Sequence, residues 1–342
     1  MKKKVTIRDI AKYAGVSSTT VSYVLNGINK MSEETKERVL QAIKELDYQP
    51  DFTAISLSKK RSNIIGVMIP TMNASHEPTL KVDQSYTEFI GGIESVLRQQ
   101  GYDLLISGIR DTVDCKNWIQ KRNLDGLIIF GLTPENFYEE MKSMDTPIVL
   151  IDNYEESTKH YSKVGIDDEL GGYLATKHLI DRGHIRISFV GHDITNISVD
   201  LNRINGFIRA LHEADLSVDE NLIFDGKGSF LEAGYEMGMK ILEIREKPTA
   251  IFASSDILAI GIIKALQEHG KEVPKDYAIV GFDNLPVSRY SSPSLTTISQ
   301  VIFNKGAAAA QLILDMITRE SLEPVNITLP IELIIRESTR AT

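Results

Sequence analysis

Ser17, Ser18, Thr19 and Thr20 form an unbroken hydroxyl run, followed by Tyr23 and Asn26 and preceded by Thr6 and the lysines Lys2, Lys3 and Lys4. Hydroxyl, amide and ammonium groups can reach phosphate oxygens and base edges, so this set points to contact with a polyanion rather than to bond making. A second polar set lies far along the chain. Asp152 ends the apolar run PIVLID, Asp283 ends AIVGFD, and Ser255 follows AIFAS. Carboxylates at such places can accept paired hydroxyls, as a polyol presents them. Reaction motifs do not accompany them. The sequence has no GxGxxG after its first apolar strand, no P-loop, no GxSxG and no HExxH, so an enzyme is not expected. Asp167 and Asp168 are adjacent acids at the start of a helix and read as a cap, as does Asp256 before its own helix. The lone Cys115 cannot close an internal disulfide, and no Cys/His cluster has metal spacing, so no metal or cofactor is expected.

The first polar set sits on short helices. From Thr6 to Ala14, apolar Ile7, Ile10, Ala11 and Ala14 fall at helical spacing with Thr6 able to cap, and Gly15 gives a sharp turn. Ser17 can cap a second helix with Val21, Val24 and Leu25 inward, closed by Asn26-Gly27. A third opens at Ser32 and buries Val39, Ala42, Ile43 and Leu46. Three short helices, the first two joined by a tight turn, make a helix-turn-helix unit. Its second helix would present Ser18, Thr19 and Tyr23 outward, to the major groove.

From Asn63 the texture changes. Continuous apolar runs (IIGVMIP, YDLLIS, GLIIFG, PIVLID, ISFVG, AIFAS and AIVGFD) alternate with amphipathic stretches at 88–100, 171–182, 203–214, 231–243, 256–269 and 305–318. Such alternation predicts doubly wound parallel sheets, and about 280 residues divide more naturally into two lobes than one. Ligands of open α/β sheets bind outside the carboxyl ends of the strands, where Asp152 and Asp283 stand. The charge is divided in the same way. Residues 1–62 hold twelve Lys and Arg against seven Asp and Glu, a net of +5, which leaves −14 on the rest of a chain whose total is −9. A basic module on an acidic body assigns the polyanion to the module alone. No run approaches the ~18 apolar residues that span a bilayer. The basic N-terminus runs into polar residues and lacks the apolar core of a secretory signal, so a cytoplasmic location is expected.

TIRDIAKYAGVSSTTVSYVLNG, with MSEETKERVLQAIKELDYQP after it, resembles the lactose/galactose repressor (LacI/GalR) family. The likeness continues through NIIGVMIP, VGIDDELGGYLATKHLIDRGHIRISFVG, RINGFIRAL, PTAIFASSDILAIGIIKAL, VPKDYAIVGFDNLPVSRYSSPSLTTISQ and ELIIRESTR, about residues 5–340. It implies an effector-controlled repressor that binds pseudo-palindromic operator DNA as a homodimer. The implied parts are a helix-turn-helix headpiece (1–49), a hinge helix and linker (50–62), and a body (63–342) of two lobes similar to type I periplasmic sugar-binding proteins. The lobes would comprise about 63–164 with 294–324, and 166–292 with 326–342. By position, the resemblance implies base reading by Ser18, Thr19 and Tyr23, backbone contacts from Thr6, Ser17, Asn26 and Ser32, and a minor-groove wedge at Leu57. In the body it implies Arg203 as a ligand clamp beside Asp152, Ser255 and Asp283, with Gln300 and Tyr86 as further candidates. A carbohydrate effector is expected, and a purine-responsive regulator is the alternative.

Several positions depart from the family pattern. Ile55 stands where many relatives have Arg, Ser255 where relatives often have Asn, and TMNASHEPTLKVDQ after Pro70 reads as an insertion. Near GKGSFLEAG, Phe230 is one position out of register with the expected ligand-stacking aromatic, and Ser229 holds the aligned place. A transport binding protein would share the body but lack the headpiece. With no heptad-bearing tail after the last strand, a dimer is expected rather than a tetramer.

Overall fold

The computed structural model describes residues 5–25, 28–48, 61–70, 85–109, 111–131, 137–192, 194, 198–319 and 323–340. Asn26, the hinge segment 50–60 with Leu57, and the 71–84 insertion lie outside the described residues. The chain divides into two compact units, one ending at Asn63 and one beginning at Ile64.

The first unit holds three helices, α1 (Ile7–Ala14), α2 (Ser18–Leu25) and α3 (Glu33–Glu45). Thr6 closes a capping box with Asp9, and Gly15, at φ +66°, ends α1 in the left-handed conformation that an L side chain adopts only with strain. The Ser17 hydroxyl accepts from Thr20 N at 3.1 Å, and that of Ser32 accepts from Thr35 N at 3.3 Å. The expected inward faces meet in one core of Ile10, Ala11, Ala14, Val21, Val39 and Ala42, to which Tyr48 adds its ring. Ile7, Val24, Leu25, Ile43 and Leu46 pack around it.

The second unit holds two six-stranded sheets. The first contains β1 (Ile64–Pro70), β2 (Asp103–Ile109), β3 (Gly126–Phe130), β4 (Ile148–Ile151), β5 (Ser162–Ile166) and β11 (Asn326–Leu329), in the order β11-β5-β4-β3-β1-β2, all parallel. The second contains β6 (Ile187–His192), β7 (Ile223–Gly226), β8 (Ala250–Ala253), β9 (Ala278–Asp283), β10 (Thr296–Ser299) and β12 (Glu332–Ile334), in the order β12-β10-β9-β8-β6-β7. Only β12 departs from parallel, running antiparallel to β10. The first five strands of each sheet have the same order, so β4 and β9 are equivalent, as are β1 and β6. Successive residues of a strand face opposite layers. Hence Ile128, Val149 and Ile151 enter one core of the first sheet, and Leu127, Ile129, Ile148 and Leu150 enter the other.

Helices α4 (Ser85–Gln99), α5 (Thr112–Arg122), α6 (Phe137–Met141) and α12 (Ile302–Thr318) cover the first sheet. Helices α7 (Asp168–Asp181), α8 (Ser198–Glu213), α9 (Phe230–Glu243) and α10 (Asp256–Glu268) cover the second, and the short α11 (Pro286–Tyr290) follows β9. The helices α7 and α8 touch backbone to backbone. A Cβ on Gly172 would lie 2.0 Å from the Arg203 carbonyl oxygen, and one on Gly206 would lie 1.9 Å from that of Glu169. Only glycine permits this approach, and it fixes where Arg203 emerges.

The expected chain returns between lobes need correction. Residues 294–299 were expected in the first lobe, yet β10 pairs with β9 and buries Ile298 in the second core. Likewise β11 pairs with β5 of the first sheet rather than joining the second. The chain therefore crosses after β5, between β10 and α12, and between β11 and β12, one strand later than expected at the last two places.

Candidate functional site

Two polar surfaces correspond to the two sets in the sequence. In the first unit, Ser18 and Thr19 are exposed on the first turn of α2, and Tyr23 follows one turn later with the Lys30 ammonium 5.7 Å from its ring centre. Thr6, Ser17 and Ser32 are exposed at the N-termini of the three helices, where each hydroxyl caps its own helix. A helix N-terminus carries unpaired N–H groups and a partial positive charge, so these caps sit where anions are favoured.

In the second unit the polar residues gather at the carboxyl ends of both sheets. Asp152 follows β4 with φ +50°, and Asp283 ends the equivalent β9 with φ +108°. Both strand ends thus turn through positive φ, which among residues with a side chain Asp and Asn adopt most readily, and which marks a constrained position. Arg203, buried on α8, lies over Phe282 with its guanidinium carbon 3.6 Å from the ring centre. Its Nε donates to Asp168 Oδ1 at 2.8 Å and its Nη1 to the Ser254 carbonyl at 2.5 Å. Asp283 and Asp200 stand 3.9 and 4.0 Å from Nη1. Burial alone would make this guanidinium easier to deprotonate, but Asp168, Asp283 and Asp200 outweigh it and hold the charge firmly. Asp200 accepts from the Ser254 hydroxyl at 2.8 Å and from His192 N at 2.7 Å, and burial raises its carboxyl above the usual range.

A relay joins the two strand ends. Gln300, between β10 and α12, donates from Nε2 to Asp283 Oδ1 at 2.5 Å and accepts at Oε1 from Lys305 Nζ at 2.5 Å. The Lys305 ammonium also donates to both oxygens of Asp152, at 2.8 and 2.7 Å. Asp283 belongs to the second lobe and Asp152 to the first, so the relay crosses between lobes at a chain return. A second bridge runs from Tyr154, beyond β4, whose hydroxyl donates to Asp168 and also lies 2.9 Å from the Ile166 carbonyl oxygen. A cavity of about 300 Å³ opens beside Asp283, lined also by Glu88, Asn284, Arg289 and Phe303.

Asp152, Arg203, Asp283 and Gln300 are thus brought into one network. Ser255 is not part of it: its hydroxyl caps α10 by accepting from Leu258 N at 3.2 Å. Asp256, expected to be that cap, instead turns inward and accepts from Leu285 N at 2.8 Å and Thr297 Oγ1 at 2.6 Å. The cap falls to Ser255 because, at extended φ and ψ, it occupies the capping position, whereas Asp256 is already helical. Of the adjacent acids, Asp167 caps α7 but Asp168 is the buried partner of Arg203. Tyr86, at the start of α4, packs edge-on against Phe130 with ring centres 4.9 Å apart.

Asp168, Asp200, His192, Tyr154 and Lys305 were not found by sequence reasoning. Lys305 had a visible signal: with Ala309, Leu312 and Ile313 it falls on the apolar stripe of α12, where a lysine needs a buried anion. Among the described residues, no group of three or more His, Cys, Asp or Glu is placed to hold a metal ion, and no helix is long and apolar enough to cross a membrane.

Comparison with known proteins covers both units. Residues 6–51 match the profile of bacterial regulatory proteins of the lacI family, and residues 176–339 that of a periplasmic binding protein-like domain. Among curated relatives, the HTH-type transcriptional repressor PurR of Mannheimia succiniciproducens is 34% identical, with 98% of each chain covered. The catabolite control protein A of Priestia megaterium is 33% identical over 98% of this chain and 99% of its own. Among solved structures, the lac repressor dimer bound to operator and the anti-inducer ONPF superposes with a TM-score of 0.86 at 26% identity, covering 99% of this chain and all of that one. A complex of the regulator CelR with cellobiose gives a TM-score of 0.73 at 27% identity, over 98% and 100% of the two chains.

Proposed function

Because the chain belongs to the lacI family of bacterial regulatory proteins, and so is a DNA-binding transcriptional repressor and not an enzyme, we propose that a neutral sugar or sugar derivative controls it from between the two lobes of its body. The observation that carries this reading is the network of Arg203, Asp283, Gln300, Lys305 and Asp152 at the carboxyl ends of both sheets. Donors and acceptors are interleaved there: the Asp152 and Asp283 carboxylates and Gln300 Oε1 accept, and the Arg203 fork and the Lys305 ammonium donate. A polyol, whose hydroxyls both donate and accept, matches that balance. A ligand touching both strand ends has a different affinity for each arrangement of the lobes, which is the requirement for shifting between them. The complex of CelR with cellobiose is a precedent for such a ligand in a similar fold.

In the headpiece, Ser18, Thr19 and Tyr23 read base edges in the major groove. Thr6, Ser17, Asn26 and Ser32 hold the phosphate backbone, and Leu57 wedges into the minor groove. Repressors of this family bind operator DNA as dimers, which doubles the few base contacts of one headpiece.

The curated relatives named PurR favour a second reading, a purine effector. Calorimetric titration with a panel of sugars and a panel of nucleobases separates the two. Binding of a sugar that releases or promotes operator binding supports the first; binding of a nucleobase alone replaces it with the second.

A further inference from the structure

His192 ends β6, the strand equivalent to β1, and is 8% exposed. Its backbone N–H donates to Asp200, whose carboxylate lies beside Arg203, so the residue stands at the edge of the polar network. Its imidazole lies almost flat on Phe230, the first residue of α9, with ring centres 4.2 Å apart and planes 19° apart. Phe230 therefore does not offer that face to a ligand. The imidazole Nε2 is 2.7 Å from the Gly228 carbonyl oxygen. A carbonyl only accepts, so Nε2 must carry the proton. In the neutral ring Nδ1 is then a bare lone pair. It is the buried side-chain nitrogen without a hydrogen-bond partner among the described residues. An acceptor left dry and unmatched is costly, and in a native protein it needs a reason. The surrounding polar groups Asp200, Ser254 and Arg203 are all bonded to protein.

We propose that His192 is a specificity-determining residue of the effector cleft, where Nδ1 accepts a hydrogen bond from a ligand hydroxyl. This rests on the cleft reading above and deepens it. Together with the carboxylates, His192 selects a ligand that donates at several points, and it rejects one that places an anionic group or a bare ether there. The pairing of Nε2–H with Gly228 and the stack on Phe230 fix both tautomer and ring orientation before the ligand arrives.

The test uses the full-length protein. D-ribose, cellobiose and hypoxanthine are each titrated into the parent, His192→Phe, His192→Asn and Asp283→Ala, with thermal melting as the check on folding. Phe keeps the stack but has no acceptor; Asn places its Oδ1 close to the position of Nδ1. A compound that binds the parent should bind His192→Phe about tenfold or more weakly, and His192→Asn within about threefold of the parent. Equal affinity for parent and His192→Phe overturns the proposal, and so does an equal loss in the Phe and Asn variants. Unchanged affinity in Asp283→Ala overturns the cleft reading itself, whatever the His192 variants do. Nitrogen-15 NMR of histidine-labelled parent protein needs no ligand. A protonated Nε2 with a bare Nδ1 at His192 supports the proposal, and a protonated Nδ1 overturns it.

Discussion

Arg203 is a residue at which stability and the proposed effector control would meet. It is buried between Asp168, Asp200 and Asp283, so its removal would strand three carboxylates in a poorly solvated place. Arg203→Ala should therefore lose its effector response and also melt well below the parent, because an unpaired buried charge costs about 3–5 kcal/mol. Asp283→Ala removes one carboxylate and leaves Arg203 paired to Asp168. It should keep operator affinity while the effector response shifts by roughly ten- to hundredfold, the equivalent of about 1.5–3 kcal/mol for a charged hydrogen bond. Fluorescence anisotropy of labelled operator across an effector titration reads both, and a response unchanged in both variants removes this cleft from the mechanism. A second residue carries a pH dependence. Burial pushes the Asp256 carboxyl up to about 7, against the pull of its Thr297 and Leu285 hydrogen bonds and of Arg336. Its folded pKa is raised above its unfolded value, so the folded state holds the proton longer. The stability it contributes is present in full below pH 4 and is lost as pH rises towards 7. The melting temperature of the parent should fall more steeply between pH 5 and 7 than that of Asp256→Asn, by roughly a few degrees. Parallel profiles for the two would contradict the assignment.

At the scale of the element, helix α12 does more than cover a sheet. It delivers Lys305, 2% exposed, into the gap between Asp152 and Gln300, and so bonds the first lobe to a chain return. Lys305→Met keeps length and apolar fit but leaves Asp152 buried and unpaired, with an expected loss of about 3–5 kcal/mol. Adding Asp152→Asn removes the stranded charge and should restore most of that loss. Denaturant unfolding of the two single variants and the double variant measures this, and simple additivity of the two losses would show that the pair does not interact. The same elements show what a sequence reveals. Strands buried on both faces, such as IIGVMIP and AIVGFD, are legible as continuous apolar runs, and the headpiece helices are legible from their period and caps. The strands β5, β7, β10, β11 and β12 were not legible: β5, β7, β11 and β12 are only partly buried and their apolar residues alternate or thin out, and β10 is buried throughout but reads TTIS, whose hydroxyls interrupt any apolar run. Asp152 and Asp283 were legible because each closes an apolar run. Asp168 and Asp200 were not, because helix-opening acids read as caps until a fold brings Arg203 against them. Gly172 and Gly206 decide that approach, and no local pattern announces a contact between two backbones.

Over the whole molecule, charge and packing divide in the same place. The net of +5 on residues 1–62 belongs with the hydroxyl-bearing helices, and the −14 on the remainder belongs with the two sheets. Every hydrophobic core of the second unit is built from residues within Ile64–Thr342, and that of the first unit from residues before Asn63. An acidic body is repelled by DNA, so the headpieces must supply both the attraction and the sequence reading. Operator affinity of the full-length dimer should therefore fall steeply with salt, with a slope in log–log form of about −0.9 for each phosphate neutralised. Removing residues 1–62 should abolish operator binding entirely, while the remaining body folds and takes up effector with the affinity of the parent. Anisotropy at several salt concentrations, paired with calorimetry on the shortened protein, measures both halves of this expectation. If the shortened protein still retards an operator fragment, the body itself contributes to DNA recognition and the division of labour by charge is wrong. If it folds but binds effector more weakly, the headpiece state is coupled to the cleft through the chain between them. The coupling must then be reciprocal, so that bound operator changes effector affinity by the same factor as effector changes operator affinity.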